Sequence, residues 1–167
     1  MNKTKPISIP PEMLKQCYAH GAETYPEEAC GILSGPADKT DVVDGYHPMK
    51  NILGRLHAED PERYPREPNE GFVLDPKDFM DLEKGLTAAG KAIRVIYHTH
   101  PDVGAYFSQE DRTQATWGDE PLFPGLNYLV CGIKERQPDG AIIAIFNDEK
   151  RDFDEHPVDS APEKPGK

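Results

Sequence analysis

The sequence predicts a single α/β domain, and three observations carry that expectation. A chain of 167 residues with 37% hydrophobic content can bury one substantial core but not two. Apolar stripes at helical spacing, as in "FVLDPKDFMDLEKGLTAAG", announce helices, while β-branched runs such as "AIRVIYH" announce strands. The two kinds of segment interleave along the chain, and no internal repeat divides it.

In order, "PPEMLKQCYAHGAE" places Met13, Leu14, Cys17 and Tyr18 at helical spacing behind a proline, which a first helical turn tolerates. After Pro26, "EEACGILSG" (Glu27 to Gly35) is apolar, too short for a typical helix and ends in Gly and Pro, so it reads as a buried strand. A second strand is expected around Val42 to Met49. From Asn51 to Gly71 the chain is charged and proline-rich without periodicity, which predicts a long loop, either functional or a plain solvated linker. Asp75 can then cap a helix with Pro76 in its first turn, its apolar stripe being Phe79, Leu82 and Leu86 ahead of Gly90. "AIRVIYH" follows as a strand, then a short helix from Ser108 to about Trp117. "NYLVCGI" and "AIIAIFN" are expected to pair as a hairpin about a polar turn at Pro138-Asp139-Gly140. Residues 1–149 form the expected domain, and the charged, proline-rich 150–167 are expected to fray as a disordered tail.

Thirty Asp and Glu against nineteen Lys and Arg give a net charge of −11, which disfavours nucleic acid and anionic membrane as partners. Three cysteines, Cys17, Cys30 and Cys131, are odd in number, widely spaced and without C-x-x-C, so neither a disulfide framework nor a cysteine-rich zinc module is suggested. The polar start has no apolar signal region and no later stretch has the length of a membrane span, so the expected location is the cytoplasm.

The chemistry concentrates in "HTHPDVGAYFSQED". Residues i and i+2 of a strand share a face, so His98 and His100 can turn both imidazoles to one point. Alone, H-x-H is equally two exposed loop histidines. "SQED" is in its own right a capping signature, with Ser108 as cap and Asp111 three positions on. Both readings can hold together, because a capped first turn can face Asp111 back toward the histidines. Two histidines and an aspartate would leave the fourth place of a tetrahedral zinc to water, as catalytic sites do.

H-x-H-x₇-S-x₂-D, met here by His98, His100, Ser108 and Asp111, resembles the signature of the JAMM/MPN+ zinc metalloproteases. The resemblance runs from roughly Pro11 to Asn147, and Thr99 stands where that family commonly has serine. It implies a cytidine-deaminase-like fold, a mixed and curved sheet flanked by helices. It implies one Zn²⁺ per chain on His98, His100 and Asp111, with Ser108 helping to hold the oxyanion. The family carries a catalytic glutamate upstream, and "YPEEACG" makes Glu28 the matching position, with its neighbour Glu27 as the alternative. "YPEEACG" and "AYFS" further resemble the small stand-alone bacterial members that act on ubiquitin-like sulfur-carrier proteins ending in Gly-Gly, in cysteine or related sulfur metabolism. Such a carrier is the implied partner, and Asn51 to Gly71 a candidate flap over its tail.

Two other classes share features with this chain. A non-catalytic MPN-type scaffold would have the fold without the ligand set, and a cupin uses H-x-H within an all-β chain, against which the helix expected after Asp75 argues. Cys30 reads as a core thiol rather than a nucleophile. His20, His47, His57 and His156 lie in polar or loop contexts and are expected to be solvated, Trp117 to pack, and Tyr106 to lie close to the metal-ligating residues.

Overall fold

The structure, a computed structural model, describes residues 5–158. Its elements are α1 (Pro11–Thr24), β1 (Cys30–Pro36), β2 (Gly45–Met49), α2 (Leu53–Glu59), α3 (Pro76–Ala88), β3 (Lys91–Pro101), α4 (Gln109–Gln114), β4 (Thr116–Trp117), β5 (Glu120–Pro121), β6 (Asn127–Lys134), β7 (Gln137–Asn147) and β8 (Asp152–Pro157). Six strands form one sheet in the order β2-β1-β3-β6-β7-β8, and β4 pairs with β5 in a small ladder of its own. The sheet is mixed: β3 and β6 run parallel, and the other neighbours run antiparallel. The expected α/β architecture is thus the observed one, and its sheet topology excludes an all-β cupin.

Strand periodicity divides the core into two layers. Val95 and Tyr97 of β3 face the side covered by α1, where Leu14, Cys17 and Tyr18 meet Leu33, Leu129, Cys131 and Ile143. Ile96 points the other way, into a cluster with Ile32, Phe107, Tyr128, Val130 and Phe153, against which Phe79 and Leu82 of α3 pack. His98 and His100 continue the Ile96 row, so the alternation that builds the core also delivers both imidazoles to one face. Thr99, between them, turns toward α1. There a Cβ on Gly21 would come 2.6 Å from its methyl group, so only glycine lets the helix lie this close.

The helix after Asp75 starts as expected, with the carboxylate accepting from the N–H groups of Lys77 and Asp78. β6 and β7 pair as expected, but the chain reverses earlier than Pro138-Asp139-Gly140. Glu135 and Arg136 form the turn with φ of 49° and 68°, a left-handed pair that matches the twist of a tight hairpin. The stretch from Asn51 to Gly71 is not wholly loop, because Leu53 buries itself and seeds α2, although Ile52 at the N-cap offers no side-chain cap. Residues 152–157 do not fray: they add β8 to β7 in register from Asn147↔Asp152 to Ile142↔Pro157, driven by burial of Phe153. Residues 159–167 of the expected tail lie outside the described residues.

Other expectations need correction as well. Trp117 is 80% exposed, in β4 beyond the end of α4, and does not pack. The four remaining histidines are half-buried rather than freely solvated. His20 Nδ1 is 2.7 Å from Tyr97 Oη, His47 Nε2 is 2.8 Å from Ser34 Oγ, and His57 Nδ1 lies 2.7 Å from the Tyr64 carbonyl. His156 sits on β8. Among the described residues no helix is long and apolar enough to cross a membrane.

Candidate metal centre

Sheet register assembles the site. β1 pairs antiparallel with β3 so that Cys30 faces His98, and the pairing continues one step beyond the strand. Ala29 donates its N–H to Thr99 Oγ1 at 2.8 Å and accepts from the Thr99 N–H at 3.0 Å. Thr99 therefore fastens the approach to β1 onto β3. By strand alternation Glu28 then falls on the same face as the two histidines, buried at 5% exposure, while Glu27 is exposed. One donor atom from each of Glu28, His98 and His100 lies within 4.8 Å of the other two.

Asp111 arrives from α4. Ser108 caps that helix, its Oγ accepting from the Asp111 N–H at 3.0 Å while its own N–H donates to Asp111 Oδ2 at 2.9 Å. This reciprocal box holds the carboxylate against the first turn and aims it at the histidines. Oδ2 is 3.2 Å from His98 Nε2 and 3.3 Å from His100 Nε2, and the two Nε2 atoms are 3.1 Å apart. Cap and ligand geometry coexist, as the spacing of "SQED" allows.

These distances fit a metal ion. Bonds of about 2.0–2.1 Å in a tetrahedron set donor atoms about 3.3–3.4 Å apart, close to all three separations. The His100 Nδ1–H points to the Gly104 carbonyl at 3.2 Å, which leaves the Nε2 lone pair facing inward. Two buried polar atoms, Glu28 Oε1 and His98 Nδ1, find no hydrogen-bond partner among the described residues. Phe72 stacks on His98 at 4.6 Å, and Tyr106 stands edge-on to His100 at 4.9 Å, so both rings are held in orientation and Tyr106 lies where expected.

Electrostatics separate the two carboxyl groups. Burial, reinforced by the charge of Asp111, pushes the Glu28 carboxyl up to about 9, with Arg66 pulling weakly against it. Burial would raise Asp111 too, but His98, hydrogen bonds from both histidines and the Ser108 N–H together hold it well below the usual carboxylate range. Burial also lowers His98, against the pull of Asp111 and with a small push from His100. Two acids with such different environments suit different tasks, one as a permanent anion and one as a proton carrier. Cys30 lies beneath them with no exposure, its thiol pushed up to about 12 by burial, which agrees with a core role.

The stretch from Asn51 to Phe72 walls the site, through residues that sequence patterns do not mark. The Asn51 side chain donates to the carbonyls of Glu28 and Gly71 at 3.1 and 3.0 Å, and accepts from the N–H groups of Leu53 and Val73, both at 3.1 Å. The Glu28 N–H donates to the Pro68 carbonyl at 2.8 Å. Asn51, Arg66 and Phe72 carry no motif; a glycine-aromatic pair after a charged run is the nearest thing to a signal.

The fold ends a central strand in candidate ligands with a buried acid beside them, a cluster that could hold a metal ion and that suits a hydrolase. Residues 10–154 match the family described as prokaryotic homologues of the JAB domain, and the chain belongs to that family of peptidases. It is 30% identical over 119 residues to a desampylase of Haloferax volcanii, covering 71% of this chain and 68% of that one. It is 30% identical over 113 residues to a CysO-cysteine peptidase of Mycobacterium tuberculosis, covering 68% of each. A solution structure of a Desulfitobacterium hafniense protein superposes with a TM-score of 0.66 at 25% identity, over 90% of both chains.

Proposed function

We propose that this chain is a zinc-dependent peptidase that hydrolyses the amide or isopeptide bond after the C-terminal Gly-Gly of a ubiquitin-like sulfur-carrier protein. The observation that carries the reading is the buried Glu28 carboxyl, an oxygen of which lies within 4.8 Å of a ring nitrogen of both His98 and His100, whose Nε2 atoms also meet Asp111 Oδ2 at 3.2 and 3.3 Å. The relatives named desampylase and CysO-cysteine peptidase support a small protein conjugate as the substrate class.

His98, His100 and Asp111 would hold the zinc, whose chemistry is to act as a Lewis acid and make water nucleophilic near neutral pH. Glu28 takes one proton from the attacking water and delivers it to the leaving nitrogen as the C–N bond breaks. The water oxygen ends in the new carboxyl group on glycine, and the second proton of the water passes to the released amine as well, so the products are a carboxylate and an ammonium group. Ser108 Oγ already accepts from the helix, so its own hydrogen is free to donate to the developing oxyanion. A Gly-Gly tail has no side chains to clash in a narrow cleft, and the wall from Asn51 to Phe72 is the surface along which it would lie extended. Three buried free cysteines support a reducing, cytoplasmic setting.

The test is the intact mass of a Gly-Gly carrier from the same genome bearing one extra C-terminal residue, followed with and without enzyme. The mass should fall by that residue, whereas a free Gly-Gly-Cys peptide should be a poor substrate because the binding energy of the carrier's folded surface is lost. Failure with every such carrier, alongside cleavage of unrelated peptides, would leave the peptidase and remove the carrier.

A further inference from the structure

A cavity of about 170 Å³ opens over the site, and its lining includes Glu28, Glu70, Glu110 and Asp111 but one cation, Arg66, among the described residues. Apart from a metal held by His98, His100 and Asp111, Arg66 is the one cationic side chain in this lining that an anionic group could meet. Arg66 is well placed to act on a ligand. Pro65 and Pro68 stiffen its backbone, and the Pro68 carbonyl is tied to the Glu28 N–H at 2.8 Å, so its stem is anchored to the segment that carries Glu28. Its Nη2 donates to the Glu70 carbonyl, and its Nη1 meets Glu110 Oε2 at 3.1 Å.

That ion pair is a replaceable one. Arg66 and Glu110 are 38% and 42% exposed, and they touch through a single nitrogen. Water screening and side-chain entropy make such a pair weak, whereas a carboxylate presented to the guanidinium fork with two oxygens would bind better. A carrier extended by one free amino acid presents such a group, because the α-carboxylate carbon lies two bonds from the scissile nitrogen. A carrier joined to another protein through a lysine side chain has no carboxylate there.

We propose that Arg66 determines specificity on the leaving side, exchanging the Glu110 carboxylate for the α-carboxylate of the residue appended to Gly-Gly. This rests on the carrier-processing function proposed above and adds that the preferred substrate carries a single residue with a free acid end. Glu110 keeps the guanidinium oriented in the absence of substrate and competes with the substrate for it.

The experiment compares one Gly-Gly carrier extended by alanine, as the free acid and as the carboxamide, with intact-mass kinetics and with zinc content and thermal unfolding recorded for every variant. Wild type should favour the acid by about tenfold in kcat/KM, the worth of one charge-assisted contact, mostly through KM. Arg66→Gln should bring the acid-to-amide ratio near unity, Arg66→Lys should keep part of the preference, and Glu110→Gln should raise the ratio by removing the competitor. Glu110→Gln keeps the test decisive even if Arg66→Gln does not fold. A wild-type ratio at or below unity overturns the proposal. So does an equal loss on both substrates in Arg66→Gln, which would make the residue a structural latch. Cleavage of neither substrate by zinc-loaded wild type removes the carrier reading itself, whereas cleavage of both without preference removes only the role of Arg66.

Discussion

Glu27 and Glu28 have the same side chain, one exposed and one buried against His98 and His100, and the sheet register alone separates them. Burial that pushes Glu28 up to about 9 marks a carboxyl able to hold a proton near neutral pH, and a divalent cation beside it would lower it again. A carboxyl balanced in this way can both take and return a proton. Glu28→Gln should therefore keep zinc and thermal stability near wild type while lowering kcat by about 10²–10⁴, the usual worth of a positioned acid-base group. Zinc analysis with single-turnover kinetics checks this, and loss of activity in Glu27→Gln in its place would shift the base by one position.

The elements differ in how openly their residues declare them. α3 and α4 begin at caps visible in the sequence, since Asp75 and Ser108 satisfy first-turn N–H groups through local hydrogen bonds. At α2 the N-cap Ile52 is not a capping residue and the first N–H is met from Asn51, one position further out, while β8 has no local mark and Phe153 is ordered by distant partners. Phe153 meets Phe107, Tyr128 and Phe146 in tilted and edge-on contacts, and Arg112 at the back of α4 pairs with Asp152 and Glu155 of β8. The last strand thus braces the helix that carries Asp111. Phe153→Ala should cost about 3–5 kcal/mol in denaturant unfolding, as large cavities in aromatic cores do. Disorder from residue 150 onward would predict almost no change, so the measurement separates the two pictures.

Across the whole molecule the site joins three separate stretches of chain. The segment before β1, the end of β3 and the start of α4 meet because β3 lies in the middle of the sheet with β1 on one side and β6 on the other. A ligand shared by these parts should stabilise the whole domain. Zinc at a hundredfold excess over its Kd should add about 2.7 kcal/mol of stability, or about 5–10 °C in Tm for a domain of this size. A chelator should reverse the rise, and His98→Ala or His100→Ala should abolish it. Calorimetry with metal analysis reads both, and an undiminished shift in those variants would place the metal elsewhere.

The α/β class, the H-x-H row, the Ser108 cap and the helix after Asp75 are legible in the sequence alone, because each follows from neighbours within one strand or one helical turn. The resemblance to the JAMM signature added the position of Glu28. Its burial, the aim of Asp111 onto both Nε2 atoms, the wall hung from Asn51 and the reach of Arg66 across the cleft came from folding. These features depend on strand register and on hydrogen bonds between residues far apart in the chain, and local spacing carries no information about partners that only the closed sheet brings together.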